Sequence, residues 1–330
     1  MLNYVFKRIL WMIPVMLGVI IIVFTITYFS PGDPVIIILG TNNYSPENYT
    51  IKAAQMGLDK GYWEQLFTYI YNLVTKLDLG KSYLTSIPVS QELAGRIPVT
   101  MRLSLMGILL MMLIGLPCGI LSALKQYSVL DISLTSLSLI MAAMPNYVLA
   151  LLCALFFGVM LRWLPFSGLA TWKHWILPIF CSAGGGIAVF TRITRTTMLD
   201  VIRQDYIRTA RAKGLKESVV VRKHALKNCL MPLTTTVGAF IATVFSGSII
   251  VETIFNVRGM GLYLVSGITG RDYPIINGTV FVISLLVCTV NLCVDIAYSF
   301  IDPRVKAQFI TPKKREKLVK GLVSAREEAN

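Results

Sequence analysis

Long apolar runs dominate the chain and are separated by shorter polar segments. Six such runs lie at residues 9–29, 103–124, 132–161, 175–190, 233–251 and 275–300. A helix of about 20 apolar residues crosses a hydrocarbon core of about 30 Å, because each residue rises by about 1.5 Å. The pattern therefore predicts an all-α polytopic membrane protein with six transmembrane helices.

The polar segments define the predicted domains. Residues 1–30 hold the N-terminal end and the first transmembrane helix, which we expect to be a retained anchor because its apolar run exceeds the roughly 7–15-residue core of a signal peptide. Residues 31–98 form an extracytoplasmic insertion, in which apolar residues at helical spacing between positions 63 and 77 predict an amphipathic helix. Residues 99–302 form a domain of five transmembrane helices with a polar loop at 192–231, and residues 303–330 form a tail.

Prolines indicate where helices bend or end. Pro88 and Pro98 bracket a short predicted helix at residues 89–96, ahead of the second apolar run. Pro145 falls inside the third run, where its missing backbone N–H predicts a kinked or divided span.

Composition and charge agree with a membrane protein and argue against nucleic-acid binding. The chain is 55% hydrophobic and 15% charged, whereas soluble domains carry about 25% charged residues. Of the 31 Lys and Arg residues, 21 fall on the predicted side of the N-terminus and nine on the opposite side. Because basic residues concentrate in cytoplasmic loops, the net charge of +14 indicates cytoplasmic N- and C-termini rather than a nucleic-acid partner.

The loop at 192–231 contains the main candidate site. Residues 205–214 are typical of a short capped helix, with Asp205 accepting hydrogen bonds from the first free amides and Gly214 ending the helix in the left-handed conformation. Between these ends lie basic and small residues, including Arg208, Thr209, Ala210, Arg211 and Lys213. Such a helix suits insertion into a groove on another protein, although arginine-rich inner loops also form helices that dock nothing.

Isolated polar residues in the apolar runs are further candidates. Asp295 lies inside the last run near Asp302 and Arg304, so it is either a structural pairing residue or a gate or proton site. Glu252 and Arg258 lie near the outer end of the fifth run, where a salt bridge between them is the simplest interpretation. The candidate pathway residues are Asn146, Ser246 and Ser248.

Two sequence features that could indicate a cofactor site, a phosphate-binding loop and a cysteine metal site, do not match the patterns that such sites require. Residues 80–82 look like the end of a phosphate-binding loop, but Thr75 occupies a position where that loop needs glycine. The six cysteines form no C-x-x-C pair and have no accompanying histidine set, so we expect no metal site. The chain is predicted to be non-catalytic and to bind no cofactor directly.

Several segments resemble one membrane-protein family. Residues 205–215, followed by residues 224–228 and Pro232, resemble the coupling segment of ABC transporter permeases of the dipeptide/oligopeptide/nickel family, which are binding-protein-dependent type-1 importers. Other segments similar to family landmarks occur in the same order, at residues 32–34, 57–59, 78–82, 96–100, 164–168, 252–255, 259–261 and 302–304. The insertion after the first helix resembles that of the first permease of a pair.

The resemblance implies a type-1 ABC importer permease fold in a bacterial or archaeal cytoplasmic (inner) membrane. The implied partners are a second homologous permease, two ATP-binding subunits that hold ATP and Mg, and an extracytoplasmic substrate-binding protein. The resemblance extends the ATPase-coupling set to Tyr206 and Leu215. It also implies a gate or a binding-protein contact at Glu252, Phe255, Arg258, Gly259 and Gly261.

Alternatives remain open for both cargo and mechanism. Peptides are the leading cargo, and nickel, glutathione-like compounds and oligosaccharides are alternatives within the family. The general E-A-A-x3-G motif of importers matches this chain only at Ala210 and Gly214, and Pro232 comes later than that motif predicts. This longer version of the motif resembles the peptide/nickel branch of the family. An ion-coupled secondary transporter that uses Asp295, or a membrane enzyme, would be a different class of protein.

Overall fold

The computed structural model describes residues 2–40 and 44–301, without the side chains of residues 2–4, 231, 242–247 and 297–301. This part of the chain is predominantly helical and contains no named strand. The first helices are α1 (Leu2–Phe29), α2 (Pro34–Leu39), α3 (Pro46–Met56), α4 (Tyr62–Lys76) and α5 (Val89–Leu124). The others are α6 (Val129–Ala143), α7 (Asn146–Cys153), α8 (Ile176–Ile202), α9 (Asp205–Ala212), α10 (Glu217–Val219), α11 (Leu226–Ile254), α12 (Met260–Gly270) and α13 (Tyr273–Ile301).

Four helical segments of the described chain are long and apolar enough to cross a membrane. They contain α1, α5, α8 and α13, and the bent pair α6–α7 makes a fifth span. The remaining predicted run falls on α11, which has 29 residues and includes positions 242–247, whose side chains lie outside the described part. The all-α polytopic architecture is confirmed. The predicted tail at 303–330 lies outside the described residues.

Pro145 divides the third span, as its position predicts. α6 ends at Ala143, Pro145 directly precedes α7, and a π-helical turn at Ala154–Met160 continues α7. The two halves meet at an angle of 105°. Because the first amides of a helix have no partner within it, a proline at this point removes no helical hydrogen bond.

The short separate helix predicted at residues 89–96 is wrong. α5 runs without a break through Pro98 and Pro117 for 36 residues, so the predicted domain boundary between residues 98 and 99 falls inside a helix. Val89 and Leu93 are buried in a core cluster with residues of α12 and α13. This packing keeps the first turns of α5 in line although Pro98 removes one backbone hydrogen bond.

Small residues bring α5 and α8 into close contact. A Cβ atom added at Gly107 would lie 3.2 Å from the Ser182 Oγ, and one added at Gly119 would lie 2.5 Å from the Thr194 Cβ. Membrane helices associate through van der Waals packing, which favours small residues at the contact. The two helices therefore form the most extensive contact between described helices in the bundle.

The insertion is attached to the bundle by a buried carboxylate. The Ser82 Oγ donates a hydrogen bond of 2.6 Å to the Asp272 Oδ2, and the Leu84 amide donates one of 3.2 Å to the same oxygen. Asp272 lies between α12 and α13 and is fully buried. The Gly80 carbonyl also accepts a hydrogen bond from the Val89 amide at the start of α5. Residues 80–82 thus form a structural joint.

The predicted amphipathic helix is α4, and its apolar residues divide into two sets. Leu66 and Leu73 are buried, and the Tyr69 ring stacks on Phe24 of α1 with centroids 5.8 Å apart. Trp63 and Phe67 are 66% and 63% exposed. One side of α4 therefore packs on the first span, while the other faces away from the described chain.

We predict that Gly119→Ala destabilises the protein by about 1–3 kcal/mol, the usual cost of overpacking. The added methyl group would press on Thr194 and on the Thr191 carbonyl, 2.6 Å away. Gly18→Ala is the matched control, because nothing lies within 4 Å of its Cβ position. Thermal unfolding in detergent, followed by tryptophan fluorescence, should separate the two variants. Equal midpoints would contradict the importance of the α5–α8 contact.

Candidate functional site

The basic loop folds into the short helix α9, Asp205–Ala212, as the sequence predicts. The assignment of Asp205 as the capping residue is wrong, because Gln204 occupies that position and makes no side-chain capping hydrogen bond. Asp205 is instead the first helical residue, with its carboxylate 4.0 Å from the Arg208 guanidinium and its side chain 99% exposed. Its negative charge still lies at the positive end of the helix dipole.

The opposite end of α9 is closed by Gly214. Gly214 has φ of +74°, and its amide donates a hydrogen bond of 2.9 Å to the Arg211 carbonyl. Lys213 is the C-cap residue, and its amide donates to the Thr209 carbonyl. Glycine adopts this left-handed conformation without steric cost, so it ends the helix sharply. No atom lies within 4 Å of a Cβ built on Gly214.

One side of α9 is built into the chain's own core. Ile207 is fully buried and Ala210 is 6% exposed, in a cluster that includes Met198, Val220 and Ala225. Ala210, one of the predicted coupling residues, therefore packs against its own chain. The other predicted coupling residues are exposed, namely Asp205, Tyr206, Arg208, Thr209, Arg211, Lys213, Gly214 and Leu215. The apolar side fixes the helix in place and leaves the polar side open.

Polar contacts also hold α9 in place. The Arg211 guanidinium donates hydrogen bonds of 2.6 and 3.1 Å to the Glu217 carboxylate, and this contact lowers the pKa of Glu217 from its usual value. The Asn228 amide donates a hydrogen bond of 3.0 Å to the Tyr206 hydroxyl. Sequence reasoning missed Glu217 and Asn228 as partners, although Glu217 follows Arg211 at the start of the next helix.

A buried ion pair lies at the same end of the bundle. The Arg195 guanidinium on α8 donates two hydrogen bonds of 2.7 and 2.8 Å to the Asp131 carboxylate on α6. The Ser122 hydroxyl and the Tyr127 amide also donate to Asp131, whose side chain is 4% exposed. Asp131 thereby joins α5, α6 and α8. The sequence carries a signal that was missed, because Asp131 is the only acidic residue between positions 93 and 199.

At the C-terminal end of α11, Glu252 caps a helix rather than pairing with an arginine. Its carboxylate accepts hydrogen bonds of 2.6 Å from the Gly261 amide and 3.2 Å from the Leu262 amide, in the first turn of α12. The Thr100 hydroxyl of α5 donates to it at 2.7 Å, and Ser248 donates at 3.2 Å. Glu252 is fully buried. These donors compensate its charge at the positive end of α12.

The predicted salt bridge between Glu252 and Arg258 is absent from the described residues. Arg258 is exposed, because the chain turns between α11 and α12 and the backbone amides of α12 reach Glu252 first. A Cβ added at Gly259 would lie 2.4 Å from the Glu252 Oε2, and one added at Gly261 would lie 2.5 Å from the Ile249 Cα. Both glycines therefore permit this close approach. Phe255 is buried beside them.

The candidate pathway residues lie in different places. Asn146 is the first residue of α7 and is partly buried, with its Oδ1 3.4 Å from a Cβ built on Gly185 of α8. Ser248 faces Glu252, so it belongs to the capping cluster of α12. The side chain of Ser246 lies outside the described part.

Asp295 forms an ion pair with the first span. Its carboxylate lies 3.0 Å from the Arg8 guanidinium, and the two side chains are 25% and 50% exposed. Asp302 and Arg304, the partners considered from the sequence, lie outside the described residues. Because a charge inside a membrane span needs a partner, the contact with Arg8 gives Asp295 a structural role between α1 and α13.

The described residues bring together no three His, Cys, Asp or Glu side chains that could hold a metal ion. The six cysteines are unpaired as thiols. The two ends of the bundle carry different features: the polar helix α9, held on its apolar side, at one end, and the short helix α12, capped by Glu252, at the other.

Two family models match the chain. Residues 115–307 match the binding-protein-dependent transport system inner membrane component. Residues 1–104 match the N-terminal part of the binding-protein-dependent transport system membrane component. The first match alone covers more than half of the chain, and the two together leave only ten internal residues and the C-terminal end unmatched.

Curated relatives align over nearly the whole chain. The dipeptide transport system permease protein DppB of Alkalihalophilus pseudofirmus is 36% identical, over 93% of this chain and 100% of the relative. The protein of the same name from Escherichia coli K12 is 33% identical, over 93% of this chain and 99% of the relative.

The fold is also similar to a solved transporter structure. An inward-facing structure of the MetNI methionine ABC transporter matches with a TM-score of 0.56 and 19% sequence identity. The match covers 64% of this chain and 97% of the transporter chain. At this identity the match concerns the fold alone, and it confirms the predicted type-1 importer permease architecture.

We predict that Glu252→Ala loosens α12, because the Gly261 and Leu262 amides lose their charged acceptor. Hydrogen bonds to charged groups contribute about 1.5–3 kcal/mol, so amide exchange over residues 260–270 should accelerate at least about tenfold. Hydrogen–deuterium exchange by mass spectrometry measures this directly.

Arg258→Ala is the control for that experiment, since Arg258 is exposed and does not contact Glu252 in the described ion pairs. It should leave the exchange of α12 unchanged. Similar acceleration in both variants would restore the salt-bridge interpretation.

Proposed function

Because this chain belongs to the family of binding-protein-dependent transport system inner membrane components, we propose that it is a permease subunit of an ATP-driven peptide importer. The observation that carries the proposal is the end-to-end similarity to dipeptide permeases, at 36% and 33% identity. The exposed and rigidly held α9 supports it, because such a permease must receive force from a separate ATPase.

The proposed partners follow from this function. A second homologous permease would complete the translocation pathway, two ATP-binding subunits would hold ATP and Mg, and an extracytoplasmic substrate-binding protein would deliver the cargo. We assign the ATPase contact to the exposed side of α9, chiefly Tyr206, Arg208, Thr209 and Lys213. Arg211 contributes through its ion pair with Glu217, which ties α9 to α10.

The proposed topology has both termini in the cytoplasm of a bacterial or archaeal cell and the insertion outside the cytoplasmic (inner) membrane. The excess of Lys and Arg residues on the α9 side supports this orientation. Glu252, Phe255, Arg258, Gly259 and Gly261 would then lie on the outer side. Of these, the exposed Arg258 is the residue available to a binding protein, whereas Glu252 and the two glycines shape the turn before α12.

In the proposed mechanism, the ATPase subunits move α9, and the movement reaches the bundle through buried contacts. Ile207 transmits it to the core cluster between α8 and α11, and the Asp131–Arg195 ion pair transmits it from α8 to α6. Because packed interfaces move as units rather than deform, the outer and inner sides would open alternately. Hydrolysis would return the bundle to its starting state.

The proposed cargo, peptides, rests on the names of the relatives and not on the fold. Nickel, glutathione-like compounds and oligosaccharides are alternatives within the family. An ion-coupled secondary transporter is less well supported, because the acid that the sequence proposed for it, Asp295, pairs with Arg8. Transport assays with the reconstituted complex and its binding protein distinguish these cases. Uptake of labelled dipeptide that depends on ATP supports the proposal, whereas ATP-independent uptake along a proton gradient by this chain alone would overturn it.

We predict that Gly214→Val impairs coupling without preventing assembly. Valine strongly disfavours φ of +74°, so the end of α9 would shift. Substrate-stimulated ATP hydrolysis by the purified complex should fall at least about tenfold, equal to about 1.4 kcal/mol.

Gly57→Val is the matched control. Gly57 also ends a helix, with φ of +69°, and also has no atom within 4 Å of its Cβ position, but it lies in the insertion. It carries the same backbone strain and should retain stimulation. If the assembled Gly214→Val complex keeps full stimulation, the role assigned to Gly214 is wrong.

A further inference from the structure

A deep apolar groove lies between α5 and α8, at the end of the bundle that carries the insertion. It has a volume of about 930 Å³, which lies within the usual range of small-molecule sites. Its walls include Met106, Leu110 and Ile114 from α5, Trp175 directly before α8, and Ile179 and Phe180 from the start of α8. Arg102 is the one charged residue among the described residues that line it.

The depth of the groove matches one leaflet of a bilayer. Arg102, Met106, Leu110 and Ile114 follow one another at four-residue spacing on α5. At about 1.5 Å per residue this stripe is about 18 Å long, and half of a hydrocarbon core of about 30 Å is about 15 Å. Trp172 and Trp175 stand beside its charged end, where indole rings favour the headgroup layer. The groove thus runs from the headgroups toward the middle of the membrane.

The charged end has no internal counter-charge. The Arg102 guanidinium lies 5.5 Å from the centroid of the Trp175 ring, and the Lys173 ammonium lies 5.9 Å from that of Trp172. Within the described chain neither cation has a carboxylate within 4.0 Å. The only acidic residue between positions 93 and 199 is Asp131, which is already bound to Arg195. An anion from outside the chain would therefore be favoured here.

The surroundings of the groove favour lipid over peptide as the source of that anion. Leu105, Leu109 and Leu113 next to it on α5 are 60%, 56% and 72% exposed, so the groove opens onto an aliphatic surface. A peptide in this groove would lose the hydration of its backbone amides and find few polar partners, which is costly. A phospholipid has its polar group at one end only.

We propose that this groove binds an anionic phospholipid, with the phosphate held by Arg102 and an acyl chain lying along Met106, Leu110 and Ile114. A guanidinium suits this role because it can donate two parallel hydrogen bonds to a phosphate. Lys173 adds a second positive charge at the same level. The site is independent of the cargo, since it requires only that the bundle sits in a membrane.

The test uses the full chain, purified with its co-expressed partner subunits and placed in nanodiscs that contain phosphatidylglycerol in excess phosphatidylcholine. Phosphatidylglycerol retained per complex after mild detergent extraction is counted by native mass spectrometry. Arg102→Gln should weaken retention about fivefold, the effect of about 1 kcal/mol per basic residue near a membrane surface. Arg102→Lys should preserve most of it. Met106→Trp should also reduce retention, because the indole fills the groove without changing the charge.

Arg162→Gln is the matched control, since Arg162 lies on the same side, is exposed and does not line the groove. Retention in this variant should equal that of the unmodified chain. Equal losses in Arg162→Gln and Arg102→Gln would reduce the effect to general surface charge and overturn the proposal. Unchanged lipid retention in Arg102→Gln would also overturn the proposal. If this variant instead loses the second permease subunit, the groove is a subunit interface. If it instead shows a raised KM for peptide, the groove belongs to the transport pathway.

Discussion

Helices inside a membrane gain nothing by excluding water from one another, so the contact between α5 and α8 must be held by close packing and by polar groups. Gly107 and Gly119 permit the approach, and Asp131, bound to Arg195 of α8 and to Ser122 of α5, fastens one end of it. α9 depends on this arrangement, because Ile207 is seated in the cluster that α8 helps to form. The lipid groove depends on it too, since α5 and α8 provide two of its sides.

Two buried carboxylates join helices at the two ends of the bundle, and their charges are compensated in different ways. Asp131 is neutralised by a full positive charge and joins three helices at the α9 end. Glu252 is stabilised by hydroxyl and amide donors and holds the short helix α12 against α5 at the other end. In the proposed alternating mechanism, the bundle would need joints at both ends that keep their internal geometry while their surroundings move. Both carboxylates provide such joints, because each has several donors fixed by neighbouring helices.

Much of the fold could be predicted from the sequence, because hydrocarbon forces the backbone to satisfy its own hydrogen bonds and therefore to be helical. The length of apolar runs, the break at Pro145 and the glycine at the end of α9 are local signals that the structure confirms. The predictions that proved wrong concern residues whose structure is determined by tertiary contacts. Pro98 leaves α5 intact because the first turns of that helix are packed against α12 and α13, and Glu252 binds the amides of α12 instead of Arg258 because the chain turns back on itself there. Neither the partner of Asp131 nor that of Asp295 is a sequence neighbour, so spacing alone could not identify them.

The unbroken course of α5 has a consequence for how the two sides of the membrane communicate. Its 36 residues make a rod of about 54 Å at about 1.5 Å per residue, longer than the hydrocarbon core of about 30 Å. The insertion is joined to the head of this rod through Gly80 and Val89, and Asp131 is joined to its foot through Ser122. In the proposed complex, α5 would tilt as one body, so a binding protein that docks outside and an ATPase subunit that binds nucleotide inside would both act on the same tilt angle. Thermodynamic linkage would then make their effects reciprocal. The free energy by which docking outside strengthens nucleotide binding would equal the free energy by which nucleotide binding strengthens docking.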